Sequence, residues 1–99
     1  MGTLSMRAGV RHKLRLYVAG TTPRSLRAVQ NIKRICEDVL SNQYDLEVVD
    51  VYKEPNRLAA DQVVAIPTLI KFAPGAIKRL VGDLSEESKV LKGLGVMAA

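Results

Sequence analysis

Residues 14–25 read LRLYVAGTTPRS, and this stretch decides the fold of the chain. Apolar side chains alternate with polar or aromatic ones over residues 13–18, and an alternation of period two predicts a strand. Gly20 ends the alternation. Thr22 then suits the N-cap of a helix, and Pro23 suits its first position, because the nitrogen there has no partner in any helix. The stretch therefore predicts a strand that turns directly into a helix.

The helix predicted from Pro23 carries an apolar stripe at the spacing of one helical face. Its members are Leu26, Val29, Ile32, Ile35, Cys36, Val39 and Leu40. Residues 41–43 end the helix, and the β-branched run over residues 46–52 predicts a second strand. A strand, a helix and a strand of these lengths form a parallel βαβ unit with a right-handed crossover.

The second half of the chain predicts shorter elements. They are a helix over residues 57–64, strands over 69–72 and 77–81, and a helix over 83–94. Pro74-Gly75 predicts the turn of a hairpin between these two strands. The stretch from Asp83 to Glu86 resembles a capping box, in which an acid three residues after the cap bonds back to it. The whole order is β-α-β-α-β-β-α, which is an α/β fold.

The composition indicates one ordinary globular domain. The chain has 99 residues, of which 47% are hydrophobic, and we expect a flexible leader at residues 1–12, a single domain at 13–95 and a tail at 96–99. Cys36 is the one cysteine, so an internal disulfide is excluded, and we expect a buried thiol in a reducing, cytoplasmic setting. No apolar run is long enough to cross a membrane.

Positive charge is concentrated near the start of the chain. Residues 1–36 contain eight bases and no acid, whereas residues 37–99 contain seven bases and ten acids, a balance of −3. Such a distribution suits oligomer contacts, an acidic protein or nucleic acid, and it also occurs as a solvated surface without a partner. Nucleic acid is the least favoured, since no binding motif accompanies the bases. The basic face of the first helix comprises Arg24, Arg27, Lys33 and Arg34.

The sequence indicates no catalytic, metal or cofactor site. His12 is the one histidine, and neither a second metal ligand nor a nucleophile that it could activate stands near it. A glycine-rich phosphate loop is also absent from the sequence. These residue patterns favour binding over catalysis.

The strand-to-helix junction and the run Ile66-Pro67-Thr68 are similar to features of the thioredoxin fold. Thioredoxins carry a reactive Cys-x-x-Cys at this junction, whereas residues 21–25 contain no thiol. Pro67 stands where such folds keep a cis proline, and a trans proline at the start of a strand is the alternative. The scaffold lacks its redox group, and a fold does not by itself imply a function.

Four runs together resemble the KaiB family of circadian-clock proteins, and the resemblance covers residues 13–94. The runs are LRLYVAGTTP at 14–23, VDV at 49–51, IPTL at 66–69 and RLVGDLS at 79–85. The resemblance implies a metamorphic protein, in which two folds share the βαβ half. The second half adopts either the thioredoxin-like arrangement or the KaiB ground-state arrangement, which is typically a homotetramer. Two packings coexist when their free energies differ by only a few kcal/mol.

The resemblance also implies site residues. The expected protein-binding residues are Lys53, Asp61, Gln62 and Arg79, and the expected fold-switch positions are Pro67, Gly93 and Gly95. Cyanobacterial members usually carry a Lys at the position of Gln62 and an Asp at the position of Gly95. Many members also have an acidic extension that this sequence lacks. These departures suit a divergent homologue from a non-cyanobacterial source.

The leading hypothesis from the sequence is a non-enzymatic regulatory binding protein without a cofactor. By resemblance, it modulates a KaiC-like ATPase or kinase in a timing system by switching its fold and oligomeric state. Further implied partners are a KaiA-like protein, a sensor kinase and the chain itself, as a dimer or tetramer. One alternative is a KaiB-like paralogue in a stress or signalling response without a clock role. A thioredoxin-like oxidoreductase is less favoured.

Overall fold

A computed structural model describes residues 11–41 and 43–96 of the chain. The elements are β1 (His12–Val18), α1 (Pro23–Leu40), β2 (Tyr44–Asp50), α2 (Asn56–Ala60), β3 (Thr68–Ala73), β4 (Lys78–Val81) and α3 (Glu87–Leu94). The predicted order of strands and helices is confirmed. Residues 1–10 of the expected leader and 97–99 of the expected tail lie outside the described residues.

One mixed sheet, in the order β2-β1-β3-β4, organises the fold. β1 and β2 are parallel, as the βαβ unit predicts, and β3 is antiparallel to both β1 and β4. The predicted hairpin between β3 and β4 is therefore confirmed. β1 has a neighbour on each side, which places it at the centre of the domain.

Apolar side chains cover both faces of the sheet. On one face, α1 and α3 enclose the larger cluster, which includes Leu16, Ile32 and Leu94. On the other face, residues of and after α2 pack against a smaller cluster of Tyr17, Val49, Val51 and Ile70. Tyr17 is completely buried, although it alternates in sequence with the apolar residues of the opposite face. A central strand covered by helices on both sides buries side chains of both orientations.

Several predicted elements have different boundaries in the structure, and the second strand and the second helix show why. The second strand spans Tyr44–Asp50 rather than residues 46–52, because it pairs with β1 from His12↔Tyr44 onwards and ends where the Asp50 carbonyl accepts the amides of Lys53 and Glu54. The second helix spans only Asn56–Ala60 rather than residues 57–64. It ends because Gln62 has a φ of 55°, and the following amide of Val63 bonds back to the carbonyl of Leu58.

The capping box predicted for the last helix is wrong. α3 begins at Glu87 with Glu86 as its N-cap, and Oδ1 of Asp83 instead accepts the amide of Ser85. Leu84, with a φ of 64°, is buried in the larger cluster. The backbone at Leu84 is therefore left-handed and not helical while its side chain is buried, and tertiary packing overrides the local signal.

The start of α1 follows the prediction in its position but not in its cap. Pro23 opens the helix after an extended Thr22, but no side-chain hydrogen bond from Thr22 caps it. The buried hydroxyl that serves this turn belongs to Ser25, whose Oγ accepts the amide of Ala19 over 2.9 Å. It thereby fixes the junction between β1 and α1.

His12, expected at the end of the leader, is the first residue of β1 and is buried. Its amide donates to the carbonyl of Gln43, and its Nε2 lies 2.7 Å from the carbonyl oxygen of Leu94. A carbonyl can only accept, so Nε2 carries the proton and donates. His12 therefore joins β1 to the end of α3.

Candidate functional site

The junction between β1 and α1 is the place where thioredoxins carry their thiols, and here backbone amides bond to the Ser25 hydroxyl and the Asp50 carboxylate. Oδ1 of Asp50 accepts the amides of Gly20 and Tyr52, over 3.1 and 3.0 Å, and so holds the ends of β1 and β2 together. The bond between Ile66 and Pro67 is cis, as in thioredoxin-like folds. The carbonyl of Pro67 accepts the amide of Gly82.

The thiol of this chain lies away from that junction. Cys36 is completely buried in α1, as the sequence predicts. Burial, together with the nearby charge of Glu37, raises the pKa of the Cys36 thiol to about 12. Because thiolates and not thiols are the reactive species, Cys36 lacks the properties of a redox group.

A cluster of hydrogen-bonded side chains, the Asp61 network, joins the sheet to α2. Its members are Arg15, Tyr17, Glu47, Arg57 and Asp61. Oδ2 of Asp61 lies 2.5 Å from the Tyr17 hydroxyl oxygen and accepts from Nη1 of Arg15 over 2.8 Å. Nε of Arg15 donates to Glu47 over 2.8 Å, and Nη1 of Arg57 donates to the same carboxylate over 2.7 Å. Two guanidinium groups therefore face two carboxylates.

Each acid in the Asp61 network stays ionised. Burial raises the pKa of Asp61, but hydrogen bonds from Tyr17 and Arg15 outweigh it and leave the pKa below its usual value. Hydrogen bonds from Arg57 and Arg15 lower the pKa of Glu47 to about 2. Burial and the Asp61 carboxylate raise the pKa of Tyr17, so its hydroxyl remains a donor. The hydrogen bonds of the network therefore keep both carboxylates charged.

The structure separates the expected protein-binding residues into two regions. Lys53 and Gln62 are exposed and lie shortly before and after α2 in sequence, whereas Asp61, next to Gln62, is mostly buried in its network. Arg79 lies on β4, the edge strand farthest from β2. Within 11–41 and 43–96, neither Lys53 nor Arg79 forms an ion pair.

Two of the four residues of the expected basic face of α1 form ion pairs with other parts of the fold. Nε of Arg27 lies 3.2 Å from Asp83, and Nη1 of Arg34 lies 3.3 Å from Glu87. The amide of Asn31, between them on the helix, donates to the carbonyl of Asp83 over 2.9 Å. These contacts join the segment before α3, and the first residue of α3, to α1. The other two basic side chains, Arg24 and Lys33, are exposed.

Two of the expected fold-switch positions place specific demands on the chain. A Cβ at Gly93 in α3 would lie 2.7 Å from Cδ1 of Leu80, so the glycine allows α3 to approach β4 closely. Gly95 is the C-cap of α3, with a φ of 79° in the left-handed region that glycine adopts at least cost. Pro67, the third position, is buried beside β3.

The Asp61 network was not predicted from the sequence. Its signals were present: Arg15 and Tyr17 share one side of the first strand, and Arg57 and Asp61 are four residues apart near a short helix. Their meeting depends on how α2 docks, which local spacing does not encode.

The part of the chain described here also contains no group of three or more residues suited to hold a metal ion. Nor does it contain a helix with the length and apolarity to span a bilayer.

The sequence is similar to circadian-clock proteins over most of its length. The family model described as the KaiB domain matches residues 15–96. Circadian clock protein KaiB3 of Synechocystis sp. is 43% identical over 84 residues, which cover 85% of this chain and 82% of the relative. A circadian clock oscillator protein KaiB of Prochlorococcus marinus is 45% identical over 84 residues, which cover 85% and 78%.

The structure resembles solved structures with the same architecture. The N-terminal domain of Synechococcus elongatus SasA superposes with a TM-score of 0.72 at 27% identity, over 92% of this chain and 90% of that domain. The thioredoxin Deadhead of Drosophila melanogaster superposes with a TM-score of 0.70 over 98% and 90%, at only 13% identity. The second likeness shows the fold alone, and together they confirm the expected thioredoxin-like α/β fold.

Proposed function

Because the chain belongs to the KaiB family, we propose that it is a regulatory binding protein of a timing system and not an enzyme. The proposal is supported by the junction at residues 19–25, where the fold's redox group is replaced by Ser25 and backbone contacts. Cys36, the one thiol, is buried with a raised pKa. The Asp61 network pairs each carboxylate with a guanidinium, which leaves no free base beside a nucleophile in it.

The proposed partner is a KaiC-like ATPase or kinase, bound through the surface around α2. The exposed side chains of Lys53 and Gln62 flank this helix, and Asp61 holds it against the sheet. Arg79 is the remaining expected contact. A KaiA-like protein, a sensor kinase and further copies of the chain are additional proposed partners, and the proposed location is the cytoplasm.

Regulation through a second fold is part of the proposal, and the unequal burial of the two halves supports it. α1 has 18 residues and contributes much of the larger cluster. In the second half, α2 has five residues, none of them buried, and β4 has four, none of them buried. Fewer buried side chains therefore hold α2 and β4 than hold α1, which lowers the free energy that a competing packing of these two elements must supply. The apparent affinity for the partner is then lower than the intrinsic affinity, in proportion to the fraction of chains in the binding-competent fold.

Size-exclusion chromatography with light scattering tests the proposed function, with the protein alone and mixed with a purified KaiC-like ATPase. We expect a self-associated form that gives way to a complex with the ATPase. A stable species that ignores the ATPase contradicts the partner and favours the paralogue without a clock role. An insulin-reduction assay, with Cys36 blocked and unblocked, tests the oxidoreductase alternative, and thiol-dependent turnover would overturn the non-enzymatic assignment.

A further inference from the structure

The outer half of the sheet carries an exposed patch on the face opposite α3. Arg79 pairs with Ile70, a member of the smaller cluster, and therefore lies on that face. Val81 follows at the next position with the same orientation and is 66% exposed, and Ile77 precedes the strand and is 58% exposed. Phe72, on the neighbouring strand, is partly buried. We define the β4 patch as Phe72, Ile77, Arg79 and Val81.

The packing of the helices explains why this patch is open. The Asp61 network fixes α2 over β1 and β2, towards the edge of the sheet opposite β4. α3 lies behind β4, where Leu80 meets Gly93. β4 therefore has one face packed against a helix and one face without such cover. Ile77 and Val81 flank Arg79 on this uncovered face, and exposed apolar side chains that lie next to one another, unlike scattered ones, mark interaction surfaces.

The charge of the β4 patch selects the chemistry of a partner. Arg79 forms no ion pair in the described part of the chain, so its guanidinium is free to bind a carboxylate. The guanidinium of Arg15 is already committed, to Glu47, Asp61 and the ring of Phe72, whose centroid is 4.7 Å away. One free cation between apolar side chains suits an acidic apolar protein segment better than the repeated phosphates of nucleic acid or a membrane.

The shape of β4 favours a helix over a strand as the bound segment. Its edge is only four residues long and carries Lys78 and Arg79, features that discourage pairing with another strand. Val81 lies four residue steps after Ile77, which is roughly 13 Å at the usual rise of a strand. Positions i and i+8 of a helix are about 12 Å apart, with i+4 between them on nearly the same face.

We infer that the β4 patch docks an acidic amphipathic helix of a protein partner. A carboxylate at position i+4 binds Arg79, while apolar side chains at i and i+8 contact Ile77 and Val81. The inference goes beyond the proposed function, because the patch is separate from the surface around α2 and its occupant need not be the ATPase. Arg79 was expected to bind a partner together with three residues near α2, and the inference assigns it to a separate surface.

A titration followed by amide NMR shifts tests the inference directly. The probe is a synthetic helical peptide with Leu-Glu-Leu at i, i+4 and i+8, and the reference peptide carries Lys in place of that Glu. We expect shifts at residues 70–72 and 77–81. Arg79→Glu should weaken binding by roughly tenfold, the loss expected for one interfacial ion pair, and the Lys peptide should restore it.

Lys78→Glu is the matched control, since Lys78 is also exposed and its side chain points to the other face of the same strand. It should change the affinity by less than about twofold, an effect of net charge alone. Equal losses for Lys78→Glu and Arg79→Glu, or shifts confined to α1, would overturn the inference. Absence of any shift would also overturn it, as would binding to phosphatidylserine vesicles without binding to the peptide. The result is independent of the ATPase experiment.

Discussion

The hydroxyl oxygen of Tyr17 lies 2.5 Å from Oδ2 of Asp61, and this contact joins the central strand to the residue that ends α2. The phenol ring is completely buried in the smaller cluster, whereas the hydroxyl reaches the partly buried carboxylate. The same oxygen lies 2.9 Å from the carbonyl of Arg57. The hydroxyl has one proton to donate, and the shorter distance assigns it to Asp61. A single side chain of the first half therefore contacts both the second residue of α2 and the residue that ends it.

Tyr17→Phe should destabilise the protein, because it retains the buried ring and removes only the donor to Asp61. A hydrogen bond to a charged group contributes about 1.5–3 kcal/mol, so we expect a loss in that range in urea unfolding. The matched control is Tyr44→Phe, whose hydroxyl donates to the exposed Glu37 over 3.0 Å and should matter less. Equal losses for the two variants would contradict a special role for the Tyr17 contact.

The Asp61 network predicts a loss of stability in acid. The pKa values of Asp61 and Glu47 lie below their usual values in the folded protein, so both groups stabilise the fold above their unfolded pKa values, about 3.9 and 4.3. This contribution is lost as the pH falls from about 5 towards 2, where the folded acids take up protons.

Chemical unfolding at a series of pH values measures this dependence. Asp61→Asn should give a shallower fall in unfolding free energy than the wild type. Asp45→Asn is the control: its pKa is also lowered, by Arg11, but its side chain is 56% exposed and water screens the pair. An unchanged pH profile for Asp61→Asn would show that the network does not contribute to acid sensitivity.

Gly93→Ala should have opposite effects in two backgrounds. With Leu80 present, the added methyl group would lie 2.7 Å from its Cδ1, and overpacking costs about 1–3 kcal/mol. In a Leu80→Ala background the clash disappears, and the better helix propensity of Ala should stabilise by up to about 1 kcal/mol. A double-mutant cycle from thermal or urea unfolding measures the difference. A zero coupling energy would contradict the close approach of α3 to β4.

Gly95→Ala should destabilise the thioredoxin-like arrangement, because the C-cap of α3 has a φ of 79°. A left-handed backbone costs an L-residue about 1–2 kcal/mol, whereas Asn tolerates it better. We therefore expect a loss of about 1 kcal/mol for Gly95→Ala and a smaller loss for Gly95→Asn, measured by urea unfolding. No Cβ clash confuses the comparison, since open space surrounds the position. Equal effects of the two substitutions would argue against a conformational cause.

Cys36 should report opening of the first half of the fold. Its thiol is completely buried, and its pKa is raised to about 12, so Ellman's reagent at pH 8 should label it only after α1 leaves the sheet. The labelling rate should rise steeply with urea, in step with global unfolding. An exposed cysteine introduced at Ser41 in a Cys36→Ala background serves as a control and should react at once. Rapid labelling of Cys36 in the native protein would contradict its burial.

Much of the fold could be predicted because its signals are local. The alternation over residues 13–18 and the apolar stripe of α1 gave β1 and α1 within about a residue, and the turn at Pro74-Gly75 gave the hairpin. Burial of Cys36 followed from its place on that stripe. The KaiB family could also be recognised from the sequence, since short runs of residues are characteristic of it. The absence of thiols at residues 21–25 needed no structure to be seen.

The three-dimensional structure alone decided how distant residues meet. Asp61 bonds to Tyr17 and Arg15, which are 44 and 46 residues away, and His12 bonds to the end of α3 at a separation of 82 residues. Packing likewise buries Leu84 in the core, and the last helix begins at Glu87 and not at the capping box predicted from Asp83. The physical reason is that propensity and periodicity act over a few neighbouring residues. The partners of a charged or buried group are set instead by how whole elements dock, and that docking depends on the free energy of the complete fold.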